Sequence, residues 1–433
     1  MKTYAAWTRV PLWQRVLVGL VLGVAFGILW PGATPAVSFL GDIFVRLIRM
    51  LVVPLVLVMI AAGVTSLGDP RRLGSLGGRT LLMFAATTAA AVSIGIAVGL
   101  VMQPGAGADL TAAAPQALGE AKSAYDQLIG IVPLNIFDAL ARGDMLAIIF
   151  FSLIIGIGTL AAGEGGKPMA ALLQSGSNVL LQVVRIVMEF TPFGVFALIA
   201  GAVASNGAAV FLNIGKLALA VVVGSILQIL VVHVPLVALV ARVPVRRFFR
   251  GIVDALAIAF STASSSATLP VAMRVAQDKL GIGRVITSTV LPLGASIGKD
   301  GTAMYVGLLS VFSLQAMGIT ADLATLAIIF LTAALAAFGT APVPSASLFM
   351  LAAVLSAVGV APEQTAVIVG LVLPFDRFLD MTRTVPSASA NLTVAAVIAQ
   401  LEGEIDLDQS ATKAATIKAN EVPIFRTAEE DCK

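Results

Sequence analysis

Apolar stretches of about 18 residues or more, each long enough to cross a hydrocarbon core of roughly 30 Å, recur along most of this 433-residue chain. Inside a bilayer no water satisfies the backbone, so runs of this length must close their own hydrogen bonds as helices. The composition agrees: 58% of the residues are hydrophobic and 12% charged, against roughly 45–50% and about 25% in an ordinary soluble domain. A soluble enzyme, a nucleic-acid binder and a disordered scaffold are excluded. One cysteine, Cys432, and one histidine, His233, leave no disulfide framework and no Cys/His metal cluster. The first apolar run follows Lys2, Arg9 and Arg15 and passes through Trp30-Pro31 without a small-residue cleavage signature, so it reads as a retained span.

Spans are expected at 12–30, 38–66, 80–102, 130–162, 170–203, 210–241, 284–315 and 363–402. The net charge of +3 sits mostly in short loops and informs topology. Arg71, Arg72 and Arg79 follow the second span, Lys167 the fourth, and Arg242, Arg246, Arg247 and Arg250 the sixth, whereas 31–36 and 204–209 carry no Lys or Arg. The excess of cations on alternate loops places both termini in the cytoplasm of a multi-pass protein of the inner, plasma membrane.

Two apolar stretches break the alternation. Hairpin one, 245–280, has basic residues at both ends and a hydroxyl-rich midpoint from Phe260 to Pro270; hairpin two, 321–361, turns at Gly339–Ser347. A segment that enters and leaves on one side is re-entrant, and its non-helical tip survives only inside protein or a wet cavity. Each hairpin precedes a span interrupted by charge, at Gly298–Thr302 and at Asp376–Thr384. The expected fold is therefore an all-α membrane protein of eight transmembrane helices plus two oppositely oriented re-entrant helical hairpins, the inverted-repeat arrangement of secondary transporters.

Asp380, Arg383, Thr384, Ser387 and Asn391 recur at i, i+3, i+4, i+7 and i+11 and share one helical face. Ionisable groups at membrane depth cost about 2.5–3.5 kcal/mol each on insertion scales, which makes them functional candidates. Arg383 offers a fork that fits a carboxylate, and Asp380 an acceptor for an ammonium; the structural alternative is an Asp380–Arg383 pair that only braces the bundle. Lys299 and Asp300 lie between Gly298 and Gly301, either neutralising one another or using a buried lysine to load and release a proton. His233 reads as a satisfied or interfacial histidine, with a proton relay as the alternative.

At these residues the chain resembles the dicarboxylate/amino acid:cation symporter family. The serine-rich tip Ser264-Ser265-Ser266, Leu291–Ile297 leading into Asp300-Gly301-Thr302, the Gly339-Thr340 tip and Asp380-Met381-Thr382-Arg383-Thr384 fall in the family's order. The resemblance implies a homotrimer working by an elevator motion, with a scaffold of 1–70 and 125–205, a transport domain of 71–124 and 206–408, and a cytoplasmic tail of 409–433. It implies that Arg383 holds a substrate side-chain carboxylate and Asp380 its amino group, with Thr302, Thr384 and Ser387 adding polar contacts. Ser264, Ser265 and Ser266, with Val343 in the 341–345 turn, hold the α-carboxylate. Glutamate or aspartate is the implied small-molecule substrate, in a lipid bilayer, with no nucleic acid, cofactor or resident metal.

Departures from the family bear on coupling. Sodium-coupled relatives read Asn-Met-Asp-Gly-Thr where this chain reads Gly298-Lys299-Asp300-Gly301-Thr302, and carry Asn and Asp where it has Ser387 and Asn391. Lost ligands and an added ammonium disfavour Na⁺. Lys299, Asp300 and Asn391 are therefore the coupling candidates, with H⁺ as the ion. Ala263 replaces an arginine in hairpin one, and Pro342 and Ser345 replace glycines in hairpin two. A C4-dicarboxylate carrier is the alternative within the family. An intramembrane Ser265/Lys299 hydrolase lacks a Gly-x-Ser-x-Gly elbow and leaves the hairpins unexplained, so the chain is read as no enzyme.

Overall fold

A computed structural model describes residues 10, 12–65, 70–108, 132–206, 209–340 and 346–406. Val343 and the rest of the 341–345 turn, the 409–433 tail and most of the loop between Gln103 and Gln127 lie outside the described residues. The helices in chain order are α1 (Leu12–Leu29), α2 (Thr34–Thr65), α3 (Pro70–Met102), α4 (Ile136–Arg142), α5 (Met145–Ala161), α6 (Lys167–Met188), α7 (Thr191–Asn206), α8 (Ala209–Leu227), α9 (Val245–Thr262), α10 (Ser265–Asp278), α11 (Arg284–Ile297), α12 (Asp300–Ala316), α13 (Leu323–Phe338), α14 (Ala346–Ala357) and α15 (Pro362–Glu402). α8 runs on into two π-helical segments, Gln228–His233 and Leu236–Val240.

Lipid supplies no hydrophobic drive between apolar helices, so close approach of backbones must bind them together. α1 achieves it with Gly19, Gly23 and Gly27, one per turn: a Cβ on these would lie 2.4, 2.6 and 2.7 Å from the carbonyl oxygens of Pro192, Phe196 and Ala200 on α7. Gly95 does the same for α3 on α12, where a Cβ would meet the Met304 oxygen at 2.0 Å. One group of buried side chains gathers α2, α7, α12, α13 and α14, with Phe44, Tyr305 and Phe312 fully enclosed. A second gathers α9, α10 and α11 around Phe248, Leu280 and Val290, and the two groups share α15.

Two of the expected spans differ from the described helices. Four described helices are long and apolar enough to cross a membrane by themselves, five if the pair flanking Trp30, bent by 111°, counts as one. The span expected at 170–203 breaks between α6 and α7, where Glu189 leaves the helical run to bind the Arg15 guanidinium, with Nη2 to Oε1 at 3.0 Å. The last helix, expected to be broken by its charges, is continuous for 41 residues. Its charges pair along the helix at i,i+3, so no backbone need unwind to satisfy them.

Candidate functional site

The polar face of α15 is buried in the centre of the bundle, with Asp380, Arg383, Thr384, Ser387 and Asn391 all at least 94% enclosed. Arg383 divides its fork: one Nη lies 2.5 Å from Asp380 Oδ1 and the other donates to Thr302 Oγ1 on α12. Its carbon end lies 5.4 Å from the Tyr305 ring centroid, a cation–π approach, and Tyr305 donates to Asp376 at 3.1 Å. The Arg383 Nε–H, fully buried, makes no hydrogen bond among the described residues. Ser387 is used structurally: its Oγ accepts from the Gly301 N–H at 3.0 Å, satisfying one of the free donors at the start of α12. Thr384 bonds back to the Asp380 carbonyl at 2.7 Å.

The start of α12 presses against α15. A Cβ at Gly301 would lie 1.6 Å from the Arg383 carbonyl oxygen, and one at Gly298 would lie 2.1 Å from Asn391 Oδ1. Neither glycine takes a positive φ, so these positions need the absent side chain rather than backbone freedom. Asn391 Oδ1 makes no hydrogen bond among the described residues.

Lys299 and Asp300, read together from the sequence, part company. Lys299 donates from Nζ to the Ala295 carbonyl at 2.6 Å. Asp300 turns the other way. Its Oδ1 accepts from Thr87 and Thr88 on α3, at 3.1 and 3.2 Å, and its Oδ2 from Gln228 at 3.0 Å, with His233 Nε2 at 3.3 Å. The expectation that the Lys299 ammonium neutralises Asp300 is thereby corrected, because neighbouring residues at a helix start do not face each other.

Helix-turn-helix segments approach the same region. α9 ends at Ala263, in the left-handed region at φ 52°, and Ser264 caps α10 by accepting from Ala267 N at 3.3 Å. Ser265 lines a small void of about 10 Å³ with Ala295 and Asn391. Ser266 lines a larger cavity of about 290 Å³, shared with Ser296, with Gly339 and Thr340 at the end of α13, and with Gln174 and Asn178 of α6. No described contact joins Ser264, Ser265 or Ser266 to Arg383 directly.

Sequence reasoning passed over Tyr305, Asp376 and Gln228 and set His233 aside. Asp376 was within reach, lying at i−4 from Asp380 on the same face. The meeting of Gln228 with His233 was not, because it depends on a π-helical pitch.

The described helices enclose a buried, charged polar centre between the closely appressed α12 and α15. The sodium:dicarboxylate symporter family model matches residues 12–401, and the chain belongs to that family. It is a multi-pass membrane transporter, not an enzyme. It is similar to the proton/sodium-glutamate symport protein of Bacillus caldotenax, 34% identical over 404 residues and covering 90% of this chain and 94% of that one. The proton/glutamate-aspartate symporter of Escherichia coli strain K12 is 33% identical over 414 residues, covering 91% and 93%. The C4-dicarboxylate transport protein of Anaeromyxobacter sp. strain K is 32% identical over 440 residues, covering 95% and 93%.

Proposed function

We propose that this protein carries glutamate or aspartate across the plasma membrane with protons and without sodium. The observation that carries the reading is the buried Arg383 fork. A guanidinium enclosed to 96%, with Thr302 and Asp380 at its two Nη groups and a further N–H unused, is built to exchange one partner for an anionic oxygen pair. Asp380 beside it would take the substrate ammonium once the carboxylate has displaced it. Gly298 and Lys299 in place of polar cation ligands, and the donor-rich surroundings of Asp300, favour a proton over Na⁺ as the coupling ion.

Transport follows an elevator motion of 71–124 and 206–408 against a scaffold of 1–70 and 125–205, in a homotrimer with cytoplasmic termini. Two glycine seams fall within the parts, α1 on α7 in the scaffold and α3 on α12 in the moving part, while the close approaches of Gly339 to Ile60 and Gly370 to Leu198 lie on the boundary that the motion would have to open. α9–α10 and α13–α14 act as the two re-entrant hairpins, and the cavity beside Ser266 and Thr340 lies between them and α6. A C4-dicarboxylate carrier is the second reading, favoured by the Asp380–Arg383 pair, which leaves Asp380 engaged, and by the similarity to the Anaeromyxobacter transporter. Competition of aspartate, glutamate, succinate and malate against labelled glutamate uptake decides between them: amino acids competing at least tenfold better support the first, and the reverse order supports the second.

A further inference from the structure

Asp300 is completely buried and accepts hydrogen bonds from four side chains, yet Lys299, the nearest cation in sequence, bonds elsewhere. With a neutral imidazole, this carboxylate is fully hydrogen-bonded and carries an uncompensated charge at zero exposure, a costly arrangement in low dielectric. Among the described residues the one titratable side chain bonded to it is His233, also completely buried. From the rest of its surroundings α3 presents Thr87 and Thr88, α15 presents Ser389, and the π segment presents Gln228; among the described residues no other charge faces the ring. Arg383 and Asp380 pair with one another, and Lys299 bonds to the Ala295 carbonyl.

We infer that His233, held between Asp300 and Ser389, is the site at which the coupling proton rides. The inference rests on the proton-coupled reading above and deepens it. A carboxylate only accepts, so the neutral ring meets this geometry with its hydrogen on Nε2, donating to Asp300 Oδ2, while Nδ1, 3.0 Å from Ser389 Oγ, accepts from the hydroxyl. The two N–H of Gln228 are then taken by Thr87 O at 3.3 Å and Asp300 Oδ2 at 3.0 Å, so its 3.5 Å approach to His233 Nε2 is a contact of two donors sharing the carboxylate rather than a hydrogen bond between them. A proton arriving from solvent bonds to Nδ1, the Ser389 hydroxyl rotates from donor to acceptor, and the site goes from one net negative charge to none. Both states keep every ring nitrogen partnered, as a site that loads and unloads without rebuilding must.

The local backbone exists to make this contact. Gln228 and His233 are five residues apart, the i,i+5 repeat of a π-helix, and the segment is π-helical over Gln228–His233. The single helix start that meets His233 through Asp300 meets Arg383 through Thr302, two residues on. Substrate and proton therefore act on opposite faces of one turn, and neutralising Asp300 favours an anionic substrate on the other face.

His233 is the one histidine in the chain, so ¹⁵N-imidazole labelling of protein purified through a histidine-free tag gives a single ring to observe. Addition of glutamate at constant pH should raise the imidazolium fraction; a ring whose protonation is the same with and without glutamate from pH 5 to 9 overturns the inference. In proteoliposomes, His233→Gln should lower accumulation driven by an inward proton gradient at least about tenfold relative to glutamate exchange at symmetric pH, a difference of about 1.4 kcal/mol. If wild type accumulates glutamate on the proton gradient and His233→Gln does so equally, this site is wrong while the proposed function stands. If wild type itself does not respond to the gradient, the proton-coupled reading fails and takes this inference with it.

Discussion

Gly301→Ala tests the contact on which the substrate site depends. The added Cβ would lie 1.6 Å from the Arg383 carbonyl oxygen, 2.7 Å from its carbon and 3.0 Å from Pro386 Cγ, all on one helix and two of them backbone atoms that cannot swing aside. Reaching ordinary contact requires α12 and α15 to separate by roughly 2 Å, since non-bonded heavy atoms are attracted best at about 3.5–4.0 Å. That shift stretches the Gly301 N to Ser387 Oγ hydrogen bond, now 3.0 Å, beyond bonding range and moves Thr302 from Arg383. Overpacking costs about 1–3 kcal/mol and a lost hydrogen bond about 1 more. Alanine's advantage over glycine in a helix returns only about 0.8–1 kcal/mol. The net is about 1–3 kcal/mol against the variant, or roughly 5- to 150-fold in glutamate affinity if the strain falls on the site. Calorimetric titration and a melting curve in detergent measure both consequences. Gly215→Ala is the control, because a Cβ there meets nothing within 4 Å, and it should leave affinity unchanged. Glutamate affinity and melting temperature of Gly301→Ala both equal to wild type would refute the argument from close approach.

Arg383→Ala removes the anion-binding fork and should weaken glutamate by about 3 kcal/mol or more, two charged hydrogen bonds at about 1.5–3 kcal/mol each; Arg383→Lys, lacking the planar fork, should recover little of it, and unchanged affinity in calorimetry would take Arg383 out of the site. Asp380→Asn should weaken aspartate and glutamate much more than succinate if Asp380 reads the ammonium; equal loss for both would mean that it serves only Arg383. Gly23→Ala, whose Cβ would meet the Phe196 carbonyl oxygen at 2.6 Å, should destabilise the α1–α7 seam by about 1–3 kcal/mol in thermal unfolding while glutamate affinity holds, and a matching loss of affinity would show that the two parts are not mechanically separate.

What could be read from the sequence followed the regular α-helical period. The stripe from Asp380 to Asn391 falls on one buried face because α15 is an unbroken helix and its spacing of 3 and 4 is the helical repeat. The glycines at 298 and 301 were seen only as the flanks of Lys299 and Asp300, whereas their contacts lie on a distant helix that spacing does not reveal. Lys299 and Asp300 looked like a pair because they are adjacent, and adjacency is what keeps them apart at a helix start. The convergence of Gln228 and His233 was illegible for a related reason. Five residues apart, they diverge on an α-helix and converge on a π-helix, and nothing in an apolar run announces that change of pitch. The ion pair of Glu189 with Arg15, 174 residues away, is a partnership no local pattern carries.

Proton-coupled, sodium-independent carriage of an acidic amino acid is tested most directly by labelled glutamate uptake into proteoliposomes in which a proton gradient and a sodium gradient are imposed separately at zero membrane potential. Accumulation above equilibrium on the proton gradient alone, with the same rate when choline replaces sodium on both sides, is the predicted result. Accumulation driven by the sodium gradient alone, and absent with the proton gradient, would contradict it.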